Sequence, residues 1–207
     1  KGLLTNEEFD KLVVASQTLH NLPIYIDDTP ALTVGMLRTR ARRLKREHDL
    51  GLVVVDYLQL MESAGKSDNR VQEIASITRG LKTIAKELDV PVLALSQLSR
   101  AVEQREDKRP QLSDLRESGT IEQDADVVAF IFREAYYLER TQPIQRQDEL
   151  PGKYGERLFK WEERLDEVRN QSEIIVAKQR HGPTGVVKLY FDGTYTRFGD
   201  LDLKHVE

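Results

Sequence analysis

The sequence contains no cysteine, no long apolar run and no recognisable signal peptide. Without cysteine there are no disulfide bonds and no zinc sites built from thiolates. No apolar stretch approaches the roughly eighteen residues that a membrane-spanning helix needs, and the first residues lack the pattern of a secretory leader. These absences are typical of a cytoplasmic protein, which is the localisation that we expect.

The sequence also lacks a strong excess of charge of one sign. Its net charge is −4, with 39% hydrophobic and 32% charged residues, which suits a globular protein. A nucleic-acid contact would therefore need a local basic patch or an assembled channel rather than overall charge. At 207 residues the chain is long enough for one full hydrophobic core, and a single domain is expected.

A complete phosphate-binding loop of the form G-x-x-x-x-G-K-[ST] is missing as well. The stretch Ala64–Asp68 (AGKSD) imitates the end of such a loop, but Leu60 stands where the first glycine is required. We therefore interpret this stretch as an ordinary polar connection. The chain begins at Lys1 without methionine, from which we expect a fragment of a longer protein.

What is present centres on the run LGLVVVDYLQLM, Leu50–Met61. Its first six residues are apolar or glycine without alternation, which predicts a strand buried on both faces of a parallel sheet. The strand ends at Asp56, and ligands in open α/β sheets bind beyond the carboxyl ends of the strands. This is the Walker B arrangement, in which the aspartate positions a nucleotide-bound magnesium ion. The alternative is a buried strand that ends in Asp where the chain turns.

Helices and short strands are predicted on both sides of this run. Thr5 and Glu8 form a capping box that begins the first helix, and the apolar residues after it predict a short strand over Leu22–Ile26. Thr33 caps a second helix, and a third spans Arg70–Leu88. The second helix carries six cations in nine residues, for which a solvated outer face is favoured over a phosphate-binding stripe. These cations are Arg38, Arg40, Arg42, Arg43, Lys45 and Arg46.

Two further strand ends carry polar side chains. Pro91 opens a strand over Val92–Leu95, and Gln97 follows it, where an amide next to Asp56 can hydrogen-bond a phosphate or an attacking water. The alternative is an ordinary polar strand end. Near the C-terminus, the turn GPTG closes a predicted hairpin, and Lys178 and Arg180 lie at its base. From periodicity alone, these are two exposed cations.

Four motifs resemble the C-terminal motor domain of bacterial replicative DNA helicases of the DnaB family. They are DYLQLM at Asp56–Met61, ALSQLSR at Ala94–Arg100, SDLRESGTIEQDAD at Ser113–Asp126 and KQRHGPTG at Lys178–Gly185. Their order and spacing match the family over nearly the whole chain. The resemblance implies an α/β fold with a RecA-like ATPase core, mainly a parallel sheet with flanking helices and a C-terminal antiparallel hairpin.

The resemblance also implies roles for single residues. Asp56 is expected to hold magnesium, and Gln97 to contact the phosphate or the water. Lys178 and Arg180 are expected to reach the ATP of the neighbouring subunit, with Arg180 as an arginine finger, because a planar, permanently charged guanidinium suits a transferring γ-phosphate.

For DNA, the expected contacts are Arg116, Glu117 and Gly119 in a loop that holds the backbone of single-stranded DNA. Arg116 is the natural phosphate partner, Glu117 would orient it, and the chain is expected to break a short helical turn at Gly119. Without the resemblance, an Arg–Glu surface pair of little energetic value is favoured.

The implied function is ATP-driven 5′ to 3′ translocation on single-stranded DNA, and duplex unwinding, by a hexameric ring. Its cofactors are ATP and magnesium, and its partners are single-stranded DNA, identical subunits, primase and a helicase loader. In the family, the phosphate-binding loop and the acid that activates water lie upstream of these motifs, so this chain alone is expected to be inactive.

The expected organisation is residues 1–207 as the distal part of one motor domain, with a polar insertion near 141–170. Helical spacing of Leu158, Trp161, Leu165 and Val168 predicts an amphipathic helix in that insertion. The helix is expected to pack on the outside, with a partner-binding helix as the alternative.

Two rival functions remain at this point. A recombinase or clock-type ATPase on the same fold would share Asp56 and the sheet, but would not explain SDLRESG together with KQRHGPTG. A non-catalytic adaptor that docks on intact subunits would explain the missing phosphate-binding loop.

Overall fold

The computed structural model describes residues 4–63, 69–115 and 119–201. Its helices are α1 (Asn6–His20), α2 (Val34–His48), α3 (Arg70–Leu88), α4 (Gly119–Asp124), α5 (Glu134–Leu138) and α6 (Pro151–Val168). Its strands are β1 (Val53–Val55), β2 (Val92–Ala94), β3 (Val127–Phe132), β4 (Gln171–Gln179), β5 (Gly185–Asp192) and β6 (Arg197–Asp200). No helix in the described part of the chain is long and apolar enough to cross a membrane.

The strands form two sheets. β1 and β2 pair in parallel, with Val53 opposite Val92 and Val55 opposite Ala94. The other sheet is antiparallel in the order β3-β4-β5-β6, and its β4–β5 pair is the predicted hairpin. The predicted α/β fold class with a parallel sheet, flanking helices and a C-terminal hairpin is confirmed. Among the described residues, the antiparallel sheet is the larger, because β3 bonds to β4 rather than to β1 or β2.

The three predicted helix starts are confirmed by their caps. The Thr5–Glu8 capping box is present in both directions, and the Thr33 hydroxyl accepts from the Met36 N–H. Asn69 caps α3, whose apolar stripe forms the centre of the core. The main core joins β1, β3, α3 and the residues that follow β1. Its most deeply buried members are Leu58, Ile74, Ile77, Ile84, Val90, Met61 and Ala41.

The predicted helix in the polar stretch is also present as α6. Leu165 and Val168 pack with Ala135 of α5 in a second, smaller cluster, and Trp161 donates its indole N–H to the Leu138 carbonyl at 3.0 Å. The sequence spacing therefore identified the packed face of α6 correctly.

Two strand predictions are wrong. Leu22–Ile26 forms no strand, and Ile26 is 89% exposed. The described residues supply no neighbouring strand to bond to this segment, and an unpaired extended segment is not a sheet strand. β1 is buried on one face only, because Val53 and Val55 enter the core while Val54 remains 55% exposed. No described element packs on that second face.

Candidate functional site: two strand ends and the cations of the hairpin

The carboxyl ends of β1 and β2 place two predicted residues at the same edge. The parallel register puts Val55 beside Ala94, so Asp56 leaves β1 where Leu95 and the residues after it leave β2. Hydrogen bonds from the Leu95 N–H to the Val55 carbonyl and from the Leu58 N–H to the Leu95 carbonyl, both 2.9 Å, extend this pairing beyond the strands. Asp56 and Gln97 are both exposed to solvent.

Gln59 joins the two strand ends and was not singled out by the sequence. Its Oε1 accepts from the Gln97 N–H at 3.2 Å, and its Nε2 donates to the Ser96 Oγ at 3.1 Å. The Gln59 carbonyl in turn accepts from the Arg70 guanidinium at the start of α3. The backbone of Gln97 is therefore held by a side chain from the turn that follows β1 and Asp56. The position of Gln59, three residues after Asp56, is the signal that could have revealed it.

Asp56 is a suitable ligand for magnesium in this setting. In residues 4–63, 69–115 and 119–201 there is no group of three or more His, Cys, Asp or Glu side chains that could enclose a metal. Magnesium in nucleotide sites is held by one or two carboxylates together with substrate phosphates and water, rather than by a cage of protein ligands. One exposed carboxylate at a strand end fits that donor set.

Lys178 lies near the end of β4 and is held by α4. Its Nζ donates to the Glu122 carbonyl, and it lies 3.4 Å from the Gln123 carbonyl. Both carbonyls belong to the last turn of α4, where no helical N–H is available to them. The half-buried Lys178 thus satisfies the end of a short helix in its own chain.

Arg180 follows β4 and is held by Asp126 in two ways. Its backbone N–H donates to the Asp126 carbonyl at 2.8 Å, and the Nη1 of its side chain lies 3.2 Å from the Asp126 Oδ1. The Lys82 ammonium also hydrogen-bonds to Asp126. Lys82 holds the pKa of the Asp126 carboxyl below its usual range, with smaller contributions from Arg180 and His181, while burial opposes the shift.

α3 separates the strand-end residues Asp56 and Gln97 from the hairpin cation Arg180. Arg70, at its first turn, contacts Gln59 at the carboxyl end of β1, whereas Lys82 contacts Asp126. Because a helix rises 1.5 Å per residue, the two contacts leave α3 at points about 18 Å apart. Arg180 therefore lies toward the opposite end of α3 from Asp56 and Gln97, and the chain does not bring them into one site.

The predicted DNA loop is described only at its two ends. Arg116 and Glu117 lie outside the described residues. Before them, Leu115 bridges to Leu98, next to Gln97, and the Asp114 carboxylate is buried against the Arg105 guanidinium at 2.7 and 2.9 Å. The loop therefore begins beside the end of β2.

The predicted break of a helical turn at Gly119, at the other end of the loop, is wrong. Gly119 is the first residue of α4 rather than a break in a helical turn. No described glycine has a positive φ, and a Cβ at Gly119 would meet no atom within 4 Å. The backbone conformation here does not require glycine, so a need for glycine would have to come from a ligand that approaches closely.

Acidic residues surround the basic stripe of α2. Arg38 donates from its Nε and Nη2 to the two carboxylate oxygens of Glu87, and Arg42 adds a contact to the same carboxylate at 3.1 Å. Arg40 binds Asp27, and this interaction, together with Thr29, lowers the pKa of Asp27 to about 2. Further pairs are Arg43 with Glu47 and Lys45 with Asp49. The charged, solvated face favoured from the sequence is therefore confirmed, and the structure adds that its cations are ion-paired.

A parallel strand pair that delivers an aspartate and a polar residue to one edge, with helices packed on one face, fits the ATPase core of the RecA-like class. The family model of the DnaB-like helicase C-terminal domain matches residues 1–200. The chain belongs to this family, which confirms the resemblance seen in its motifs.

Replicative DNA helicases of two bacteria are similar to nearly the whole chain. The chain is 54% identical to the replicative DNA helicase DnaB of Rickettsia prowazekii over 201 residues, covering 97% of this chain and 40% of that protein. It is 50% identical to the replicative DNA helicase DnaC of Bacillus subtilis, covering 97% and 39%. The chain thus spans about 40% of the length of these relatives.

Solved structures support the fold. A DnaB-like replicative helicase, described with its interactions with primase, superposes with a TM-score of 0.76 at 40% identity, covering 96% of this chain and 43% of that one. A second solved structure, of an ATPase domain, gives a TM-score of 0.76 at 41% identity, covering 96% and 62%.

Proposed function

We propose that this chain is the distal part of the motor of a replicative DNA helicase. The complete protein would use ATP hydrolysis to move 5′ to 3′ along single-stranded DNA and to unwind duplex as a hexameric ring. The observation that carries this proposal is the position of Arg180 toward the far end of α3 from Asp56 and Gln97, in a chain 54% identical to a replicative helicase. An arginine so placed suits the nucleotide of a neighbouring subunit, and a head-to-tail contact of that kind closes into a ring.

In this proposal each strand-end residue has one task. Asp56 would hold a magnesium ion, which would neutralise charge on the nucleotide phosphates when bound. The Gln97 amide donates to the γ-phosphate or hydrogen-bonds the attacking water. Gln59, in the segment that follows β1, holds the backbone of Gln97 in place.

The two hairpin cations act on the neighbouring subunit. Arg180 is the arginine finger, whose fixed fork of donors matches the charge that spreads over the γ-phosphate oxygens during transfer. Lys178 binds the same nucleotide as a compact charge. Its present contact with the carbonyls of α4 keeps it next to Arg180.

Arg116, Glu117 and Gly119 are proposed to hold the DNA backbone. On either side of residues 116–118, Leu115 bridges to Leu98 and Gly119 begins α4. Primase and a helicase loader are the further partners proposed for the complete protein, which would act in the cytoplasm.

The rival functions are less well supported. The relatives described above are replicative helicases rather than recombinases or clock-type ATPases. Residues 1–207 are proposed as the distal part of one motor domain, with 141–170 as an insertion that packs through α6. An adaptor role would require that the chain occur alone and dock on intact subunits.

The experiment is a subunit-mixing assay in the complete protein. Arg180→Ala is expected to lower ATP turnover by roughly 10³- to 10⁵-fold with the hexamer intact, and Arg180→Lys should restore little. Asp56→Ala subunits should also be inactive. When the two variants are mixed, some interfaces combine an intact Asp56 with a neighbour's intact Arg180, and turnover should reappear. Near-normal turnover of Arg180→Ala would reduce Arg180 to a surface cation, and mixtures that stay inactive would argue against action between subunits.

A further inference from the structure

The connection between α4 and β3 carries two aspartates that α3 holds from one face. Thr78 donates its hydroxyl to the Asp124 Oδ2 at 2.6 Å, and the Lys82 ammonium binds the Asp126 carboxylate. Thr78 and Lys82 are four residues apart, so they lie on the same side of α3. The end of α4 is thereby attached to the helix that packs beneath β1.

Both hairpin cations contact this same connection. Lys178 donates to the carbonyls at the end of α4, and Arg180 binds both the backbone and the side chain of Asp126. α4 begins at Gly119, directly after residues 116–118. One short segment therefore runs from the proposed DNA loop to the two cations proposed to contact the neighbour's nucleotide.

The geometry at Asp126 leaves Arg180 available for a phosphate. A guanidinium has five N–H donors, and the Asp126 carboxylate is within 3.2 Å of only one of its terminal nitrogens. The Arg180 side chain remains 46% exposed and that of Asp126 49%. An ion pair this exposed contributes little to stability, so its main effect is to restrict where the guanidinium points.

We propose that Asp126 is the positioning residue for Arg180, the proposed arginine finger. This inference rests on the proposed function, because it requires Arg180 to reach a neighbour's nucleotide. Asp126 does not touch the nucleotide. It orients the residue that does, and its own position is set by Lys82 and by the end of α4.

The test is a double-mutant cycle in the complete hexameric protein, with ATP turnover measured with and without oligothymidine. Asp126→Asn keeps the shape of the side chain and removes its charge. It is expected to lower DNA-stimulated kcat roughly tenfold, a typical size for coupling between sites. KM for ATP and affinity for oligothymidine should change by no more than about twofold, because the variant acts on orientation rather than on binding.

Non-additivity separates positioning from a merely structural role. In an Arg180→Ala background, Asp126→Asn should lower kcat by no more than about a further twofold, since the residue that it orients is already gone. A structural defect would instead add its full loss to that of Arg180→Ala. Asp126→Glu, which retains the carboxylate, should recover part of the DNA-stimulated kcat that Asp126→Asn loses.

Asp166→Asn is the matched control. It removes the carboxylate of another exposed ion pair with arginine, Asp166 with Arg169 at 2.7 Å at the end of α6. It should leave both kcat and stimulation by DNA unchanged. Size-exclusion chromatography and thermal unfolding check assembly, and Asp126→Glu carries the cycle if Asp126→Asn loses the hexamer.

The outcomes distinguish this inference from the proposed function. If Arg180→Ala itself leaves turnover normal, the arginine-finger assignment fails and this inference fails with it. If Arg180→Ala is inactive but Asp126→Asn retains normal turnover, only the positioning role of Asp126 is overturned. Additive losses in the double variant would also overturn it.

Discussion

Gln59 shows how one side chain can set the geometry of a site that it need not touch. Its amide uses both ends, accepting from the Gln97 N–H and donating to the Ser96 hydroxyl. A leucine of similar size would fill the same space but could make neither bond. The strand end that carries Gln97 would then be free to move relative to Asp56.

We predict that Gln59→Leu in the complete helicase lowers kcat for ATP by roughly ten- to a hundredfold, because small displacements of reacting groups are costly. Loss of its hydrogen bonds should lower the free energy of unfolding by about 1–2 kcal/mol. Steady-state turnover and urea unfolding measure the two effects.

Gln145→Leu is the control for Gln59→Leu. Gln145 donates its amide to the Glu149 carbonyl in an exposed loop far along the chain from the strand ends. Its replacement should leave turnover unchanged. Equal turnover of Gln59→Leu and the unmodified protein would show that the bridge does not position Gln97.

At the scale of single elements, the helix α2 and the 116–119 loop compete as the path of DNA. The cations of α2 are largely matched by Asp27, Glu47, Asp49 and Glu87. Phosphate binding there would have to displace carboxylates from existing ion pairs. The loop next to α4 is therefore the better candidate.

We predict that Arg116→Ala reduces the dependence of log affinity for single-stranded DNA on log salt by about 0.7 for each phosphate that the protein no longer neutralises. Affinity should fall equally on all base compositions, because phosphate contacts do not read sequence. Fluorescent oligonucleotide titrations at several salt concentrations, in the hexamer with a non-hydrolysable nucleotide, measure the slope.

Two variants serve as comparisons for Arg116→Ala. Arg43→Ala removes an α2 cation that pairs with Glu47, and it should leave the slope unchanged. Gly119→Val leaves the charge unchanged, and the structure has open space for its side chain. Weaker binding by Gly119→Val with an unchanged slope would indicate that DNA approaches the backbone there. A changed slope for Arg43→Ala, and none for Arg116→Ala, would move the DNA path to α2.

At the scale of the whole molecule, the described chain leaves an apolar sheet face and an apolar helix uncovered. Val54 and Leu93 face outward from the parallel strands, and α1 has no buried residue. These exposed side chains are not matched by any described element. The relatives are about two and a half times as long as this chain, which covers about 40% of them.

We predict that the isolated chain does not bind ATP with submicromolar affinity in the presence of magnesium. In the proposed site, Asp56 and Gln97 would provide only the metal and water side, and no complete phosphate-binding loop is present in the sequence. Isothermal titration calorimetry measures the affinity, and Asp56→Ala should abolish any weak magnesium-dependent binding that remains. Tight binding would assign a phosphate-binding role to Gly65, Lys66 and Ser67.

The sequence alone determined the local elements and the family. Capping residues at Thr5 and Thr33, the helical stripe of α3 and the spacing in α6 depend on neighbours along the chain, so they could be predicted from it. The motifs likewise identified Asp56 and Gln97 as strand-end residues.

Tertiary structure alone decided which residues meet. The Gln59 bridge and the Lys82–Asp126–Arg180 cluster join segments up to about a hundred residues apart, and no periodicity reports such contacts. Pairing also decided against a strand at Leu22–Ile26, because a strand exists only where a partner supplies hydrogen bonds, and apolar composition does not specify a partner.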